Sequence, residues 1–421
     1  MIDMRLIREN TRDVQTSLKQ KGVDFDLNII LNLDEERRDI IQKVEALKRQ
    51  RNTISKDVGI RKKAGQNADN LIAETTSINE DIKSLDAKLG ELDDQIKTFM
   101  LQLANPAHFS VPVGHDASEN VVIKEWGKRK IFSHKALDHL ELGEKLGLFD
   151  FQRGTKIAGP GFPLYTGLGA KLERSIINFM LDFHTEKHGY KEIFPPFVAN
   201  SKSMTTTGQL PKFGEDMYLA GKDELYLIPT AEVPVTNIHQ EEIIPVDEFP
   251  VKYAAYSACF RREAGSYGRD TKGFLRLHQF NKVELVKFTH PDESYNELEL
   301  LRRDAEDILE ALGLEYRVID LVTGDLSFSA AKCYDIELWA PVEEKWLEVS
   351  SCSNFEDFQA RRGNIRFRPN GGGKLQFAHT LNGSGVATPR LLVALLETYQ
   401  TEDGHFKVPE VLVPYMGRDL I

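Results

Sequence analysis

Apolar residues fall at Ile78, Ile82, Leu85, Leu89, Leu92, Ile96, Phe99 and Leu103, stepping by four and three without a break. A heptad stripe kept up over three to four heptads must be covered by a second helix. The partner lies upstream, where Ile40, Val44, Leu47, Ile54 and Val58 form a second stripe that Arg51 interrupts. Residues 59–70 carry Gly59, Gly65, Asn67 and Asn70 and no stripe. Two long helices folded back as an antiparallel coiled-coil hairpin satisfy this pattern. About 35 residues per helix at about 1.5 Å each make an arm of roughly 50 Å.

Charge separates the two helices. Residues 37–63 hold ten basic and three acidic side chains, whereas residues 69–97 hold eight acidic and three basic. Two readings stay open. Opposite charges flanking a seam pair two helices and set their register. The surplus at Lys56, Arg61, Lys62 and Lys63, toward the tip, is also a surface for a phosphate backbone. Aromatic residues are not interleaved there, so the fit is to the shape and backbone of a folded RNA rather than to stacked single-stranded bases.

The whole chain has 421 residues and a formal charge of −11, which taken alone argues against a nucleic-acid partner; the basic tip reverses that inference. Cys259, Cys333 and Cys352 are too scattered for a disulfide framework or a CxxC metal site, which suits a reducing compartment. The N-terminus has no apolar signal core, and apolar runs such as residues 391–396 are too short to span a bilayer. A cytosolic protein without membrane contact is expected.

After Asn105-Pro106 a linker runs to about Asp116. Helical patterns are expected over residues 135–146, 169–188, 294–312 and 389–400, and strands over 223–229, 251–260, 275–287, 315–321, 333–340 and 345–351. Consecutive strands with grouped helices indicate an α+β fold, an antiparallel sheet with helices on one side. Domains of 1–106 and 107–421 follow.

The most informative segment for function is 260–284. Two strand-like stretches flank a long polar loop. Arg261 and Glu263 share one face by the two-residue period, and Arg276, Phe280 and Glu284 share one on the return strand. Guanidiniums match phosphate oxygens, a ring stacks on a base, and a carboxylate accepts from an amino group. That combination suggests nucleotide binding with attack at phosphorus. Residues 370–374 lack the Walker spacing and read as a turn. Downstream, Glu348-Val349-Ser350-Ser351 ends a strand with acid and hydroxyls that could help hold Mg²⁺ on ATP phosphates. Asn382-Gly383-Ser384-Gly385 reads as a turn. Thr388 then caps a helix with Pro389 in its first turn and Arg390 near a terminus that favours an external anion. Thr230-Ala231-Glu232 follows another strand.

These residues resemble a known family. Phe260-Arg261-Arg262-Glu263, with the return to Arg276 and Phe280, is similar to motif 2 of the class II aminoacyl-tRNA synthetases. Residues 383–390 and the helix after them resemble motif 3, and the helix leading to Pro195-Pro196 resembles motif 1, with Pro196 as its proline. Within the class, Glu263 to Thr271, His278-Gln279-Phe280, Thr207 to Phe213, Thr230-Ala231-Glu232 and Glu348 to Ser351 resemble the seryl form, as does the arm. Gly159-Pro160-Gly161-Phe162 departs from the pattern, since many members carry an Arg before the Phe.

The resemblance implies serine activation by ATP to seryl-adenylate, then transfer to the terminal ribose of tRNA(Ser), with tRNA(Sec) as a second candidate. ATP would be held by Arg261, Arg262, Glu263, Arg276, Phe280, Glu348, Val349, Ser350, Ser351 and Arg390. Arg261 and Arg390 would be catalytic, and Glu348 and Ser351 would serve Mg²⁺; no zinc is expected. Serine would be held by Thr230, Ala231, Glu232, Arg261, Glu284, Asn382 and Ser384. Lys56, Arg61, Lys62 and Lys63 would meet tRNA. A homodimer follows only through motif 1. Two other readings compete. A ligase charging a carrier protein should lack the arm, and a non-catalytic relative should have lost part of the phosphate-binding set.

Overall fold

A computed structural model describes residues 1–263 and 273–421. The chain separates into two compact units, Ile2–Ala104 and Asn105–Ile421.

In the first unit, helix α1 (Leu27–Lys63) and helix α2 (Asp69–Met100) pack along a seam of Ile40, Val44, Ile54, Ile78, Ile82 and Leu92. Asp26 caps α1, its side chain accepting from Asn28 N at 3.0 Å. The connection is shorter than expected. Helix α1 runs through Gly59 to Lys63, because a long covered stripe on its other turns outweighs one helical glycine. Leu103 lies beyond the end of α2 and is buried outside the helix. The pairing reading finds support. Arg37–Asp93 (2.5 Å), Lys48–Asp86 (4.0 Å) and Glu36–Lys88 join the two helices. Lys56, Arg61, Lys62 and Lys63 are exposed, with no ion pair among the described residues.

The second unit is built on one eight-stranded sheet. Its strands are β1 (Val121–Trp126), β2 (Lys191–Ile193), β3 (Val251–Phe260), β4 (Gln279–Thr289), β5 (Tyr316–Asp320), β6 (Lys332–Ala340), β7 (Lys345–Asn354) and β8 (His379–Ala387). Their order is β1-β5-β6-β7-β8-β4-β3-β2. Each pairing is antiparallel except that of β2 with β3 at one edge, which is parallel. Helices α3 (Gly167–Glu186), α4 (Ser294–Ala311) and α5 (Thr388–Thr398) contribute to one continuous core with the sheet, through residues such as Ile176, Leu301 and Leu395.

Three expectations change. The return strand begins at Gln279, so Leu275 and Arg276 lie before it. The stretch 223–229 gives only a three-residue strand, Leu225–Leu227, in a separate small sheet. Asn382–Gly385 is the middle of β8 and not a turn. Its glycines mark close approach instead: a Cβ on Gly383 would lie 3.0 Å from Cys352 Sγ, and one on Gly385 2.8 Å from His184 Nε2.

Candidate active site

The β3–β4 hairpin sets the first wall. Ala255 faces Glu284, Ser257 faces Lys282 and Cys259 faces Phe280. Phe280, Lys282 and Glu284 therefore share the face on which Arg261 leaves β3, while Val283 and Leu285 enter the helix-side core. The Arg261 guanidinium stands 5.2 Å from the Phe280 ring centroid. Glu263 follows the strand end at φ +52°, where the two-residue period no longer holds. It nevertheless turns inward and accepts from Arg276 Nη1 at 2.5 Å. The shared strand face expected for Arg276 is thus replaced by a loop position pinned to Glu263. Residues 264–272, which carry part of the motif 2 resemblance, lie outside the described residues.

Strand β8 supplies the second wall. Ser384 is paired with Glu284, but the next partners are Ala387 and Lys282, so two residues, Gly385 and Val386, bulge out. Val386 sits at φ +96°, strained for a β-branched residue. The bulge delivers the chain into α5 with Pro389 in its first turn. Thr388 is not a cap. Its hydroxyl donates to Glu173 Oε1 on α3 and to Asn281 O (3.2 Å) on β4. Arg390 donates from Nη1 to Glu348 O at 2.8 Å and from Nε to Leu275 O at 3.3 Å.

Glu348 and Ser351 are three residues apart, a spacing that puts side chains on opposite faces of a regular strand. A bulge at Val349 corrects this: Glu348 pairs with Glu337 and Ser351 with Asp335, two residues apart on β6. Both then point to one side, and both line the cavity below. Asp335 lies beside them, its carboxyl pushed up by burial and by Glu348. The cluster offers hard oxygen donors, and the Glu348 carboxylate is about half exposed, 3.7 Å from Arg390. Few protein oxygens beside a guanidinium fit a Mg²⁺ shared with a phosphate-bearing ligand.

These walls form two sides of a cavity of about 500 Å³. It is lined by Arg261, Glu263, Arg276, Phe280, Glu348, Val349, Ser351 and Arg390 on the guanidinium-rich side, and by Thr230, Glu232, Asn382 and Ser384 on the other. Four expected residues do not line it. Arg262 is exposed, its backbone N–H donating to Asp216 O at 2.9 Å. Ala231 is buried in a core cluster behind. Ser350 is buried and donates to Ser384 O at 2.6 Å, tying β7 to β8. Glu284 is buried beneath the lining, and its oxygens accept from Thr230 Oγ1 (2.9 Å), Asn382 Nδ2 (2.8 Å) and Lys282 Nζ (2.5 Å).

Lys282 and Gln359 escaped the sequence reading. Lys282 was findable, since it lies midway between Phe280 and Glu284 on the same face. Gln359, from the short helix Phe358–Gly363, carries no signal in sequence; its Nε2 donates to Glu232 Oε1 at 2.6 Å. Burial, and then the charge of Glu284, raise the Glu232 carboxyl to about 7, while Gln359 opposes the shift. Glu173 is likewise raised to about 7 by burial, against hydrogen bonds from Thr388 and Asn281.

An antiparallel sheet carrying arginines on a hairpin and at a helix start, around one cavity, defines the class II aminoacyl-tRNA synthetase core. Residues 217–399 match the family model for the tRNA synthetase class II core domain (G, H, P, S and T), and residues 1–107 match that for the seryl-tRNA synthetase N-terminal domain. The chain is 53% identical to a serine–tRNA ligase of Chlorobium phaeobacteroides over 429 residues, covering 100% of both chains. It is also 53% identical to one from Carboxydothermus hydrogenoformans, covering 100% of this chain and 99% of that one. A crystal structure of seryl-tRNA synthetase from Pyrococcus horikoshii complexed with ATP superposes with a TM-score of 0.93 at 38% identity, covering 100% of this chain and 99% of that chain. The chain belongs to the seryl-tRNA synthetase family. Among the described residues no helix is long and apolar enough to cross a membrane.

Proposed function

We propose that this protein activates L-serine with ATP to seryl-adenylate and transfers serine to the 3′-terminal ribose of tRNA(Ser). One observation carries the reading: a guanidinium-rich wall and a small polar wall with a buried carboxylate open into one cavity. The first suits ATP phosphates, the second an amino acid with an ammonium and a hydroxyl.

Phe280 stacks on the adenine, and Glu263, oriented by Arg276, accepts from its amino group. Arg261 reaches the α-phosphate and stabilises the charge that builds there as the serine carboxylate attacks. Arg390 grips the γ-phosphate and orients the departing pyrophosphate. Glu348 and Ser351 would hold Mg²⁺, which supplies charge neutralisation of the phosphates when bound. Glu232 takes the serine ammonium. Thr230, Asn382 and Ser384 surround the side chain, and Glu284 accepts the serine hydroxyl as Lys282 yields one of its oxygens. The rate gain is mainly positioning of two bound reactants. A pocket that hydrogen-bonds the hydroxyl rejects alanine by about 10⁴ or more, because its polar groups would be left unpaired.

Residues 1–106 act as the tRNA-binding domain, with Lys56, Arg61, Lys62 and Lys63 on the RNA backbone, and residues 107–421 as the catalytic domain. The protein works as a cytoplasmic homodimer. The exposed Phe194 beside Pro196 supports a contact with a second copy there, and three free, buried cysteines suit a reducing compartment. Pyrophosphate exchange measured with each of the twenty amino acids tests the reading. Serine alone should support exchange; another amino acid doing better would overturn it.

A further inference from the structure

The walls just described do not close the cavity. A third wall comes from two loops, one carrying Thr207 and Phe213 and the other Ser327, Phe328 and Ser329. No acidic side chain lies in those two segments of the lining. The two rings stand 6.5 Å apart and nearly perpendicular, at 89°. The Lys212 ammonium lies 4.9 Å from the Phe328 centroid and 5.6 Å from that of Phe213.

The loops are packed into place rather than loosely apposed. Ser329 Oγ donates to Thr207 O at 3.1 Å. Gly208, at φ +90°, passes so close that a Cβ would fall 2.1 Å from Ser329 Oγ, so only glycine fits. The wall also joins the serine side physically, since Gln359 Nε2 reaches both Thr207 O (3.4 Å) and Glu232 Oε1 (2.6 Å).

The first half-reaction leaves this wall unused. The second requires a third reactant, a ribose hydroxyl, to reach the serine carbonyl inside the same cavity. We propose that the wall formed by Thr207, Phe213, Ser327, Phe328 and Ser329, with Lys212 at its edge, receives the terminal nucleoside of the tRNA acceptor end. A ring supplies a stacking face for the base, the exposed Ser327 hydroxyl matches the ribose, and the ammonium meets the last phosphodiester. The absence of carboxylates fits a polyanion and does not fit an ammonium-bearing group. In the transfer step the ribose oxygen forms an ester bond to the serine carbonyl carbon, the bond from that carbon to the phosphate oxygen breaks, AMP leaves, and the hydroxyl proton passes to the leaving phosphate or to solvent.

The proposal rests on the function argued above, and the test separates the two. Phe213→Ala, Lys212→Ala and Ser327→Ala are compared with the unmodified protein in two assays: serine-dependent pyrophosphate exchange, and single-turnover transfer from preformed enzyme-bound adenylate to tRNA(Ser). Exchange should stay within about twofold while transfer slows about tenfold or more in Phe213→Ala, the loss expected for one stacked base. The trinucleotide CpCpA should inhibit transfer by the unmodified protein and inhibit Phe213→Ala less. Equal losses in both assays would assign the wall to the adenylate, and unchanged transfer in all three variants would leave it no role; either result overturns the proposal. A thermal melt of each variant separates misfolding from these outcomes, with the exposed Lys212→Ala least exposed to that risk. If the unmodified protein fails to charge tRNA at all, it is the function itself that fails.

Discussion

Gln359 donates its Nε2–H to Glu232 Oε1 at 2.6 Å, and both residues are buried. The contact offsets part of the cost of keeping a carboxylate charged away from water, and so it tunes the group assigned to the serine ammonium. Replacing Gln359 with Leu removes a hydrogen bond to a charged group, about 1.5–3 kcal/mol. Serine KM should rise about tenfold to a hundredfold, with ATP KM unchanged in pyrophosphate-exchange titrations.

The same pair sets a pH dependence. Glu232 is raised to about 7 by burial and by Glu284, with Lys282 and Arg261 pulling the other way. In the proposed role its charged form binds the ammonium, so affinity for serine should improve as pH rises from about 6 to 8 and level off above. The Gln359→Leu variant should shift that profile to higher pH. A serine KM that is flat across this range in both proteins would separate Glu232 from the ammonium.

Glu284 anchors Thr230, Lys282 and Asn382. Glu284→Ala should abolish serine activation while ATP binding, followed by fluorescence or calorimetry, persists. Serine-dependent exchange near the unmodified rate would sink this assignment.

Glu173 joins three elements by accepting from Thr388 on α5 and Asn281 (2.8 Å) on β4. Glu173→Ala takes the acceptor from the part-buried Asn281 amide and leaves the buried Thr388 hydroxyl with Asn281 O alone, at about 1–3 kcal/mol for a donor left unmet. The variant should melt several degrees lower and turn over more slowly, because the start of the helix bearing Arg390 loses its tether. Glu173→Gln, which keeps an acceptor oxygen, should recover most of both.

Deleting residues 37–103 should abolish tRNA charging and leave adenylate formation largely intact. Replacing Lys56, Arg61, Lys62 and Lys63 together by Ala should weaken tRNA binding and flatten its salt dependence, since fewer counterions are released. An unchanged salt slope would remove these side chains from the RNA surface.

The arm was legible because a covered seam imposes its period on the residues themselves, and most strands because the sheet's core face imposes another. The same two-residue period located Arg261, Phe280 and Glu284. It also points at Lys282, which lies between Phe280 and Glu284 on the same face. Local composition misled at Asn382–Gly385: glycine there answers to Cys352 and His184, which approach from distant parts of the chain. The bulge at Val349 that swings Ser351 beside Glu348 leaves no trace in sequence, and neither does Gln359, which matters only through a tertiary contact. Glu263 reached the cavity for a reason other than the strand period, through its partner Arg276.

In the proposed function one cavity performs both activation and transfer. Enzyme loaded with ATP and labelled serine, freed of small molecules by gel filtration and mixed with tRNA(Ser), decides the matter. The label should move to the tRNA with equimolar release of AMP. Label that remains on the protein, or is lost to water without appearing on tRNA, would contradict it.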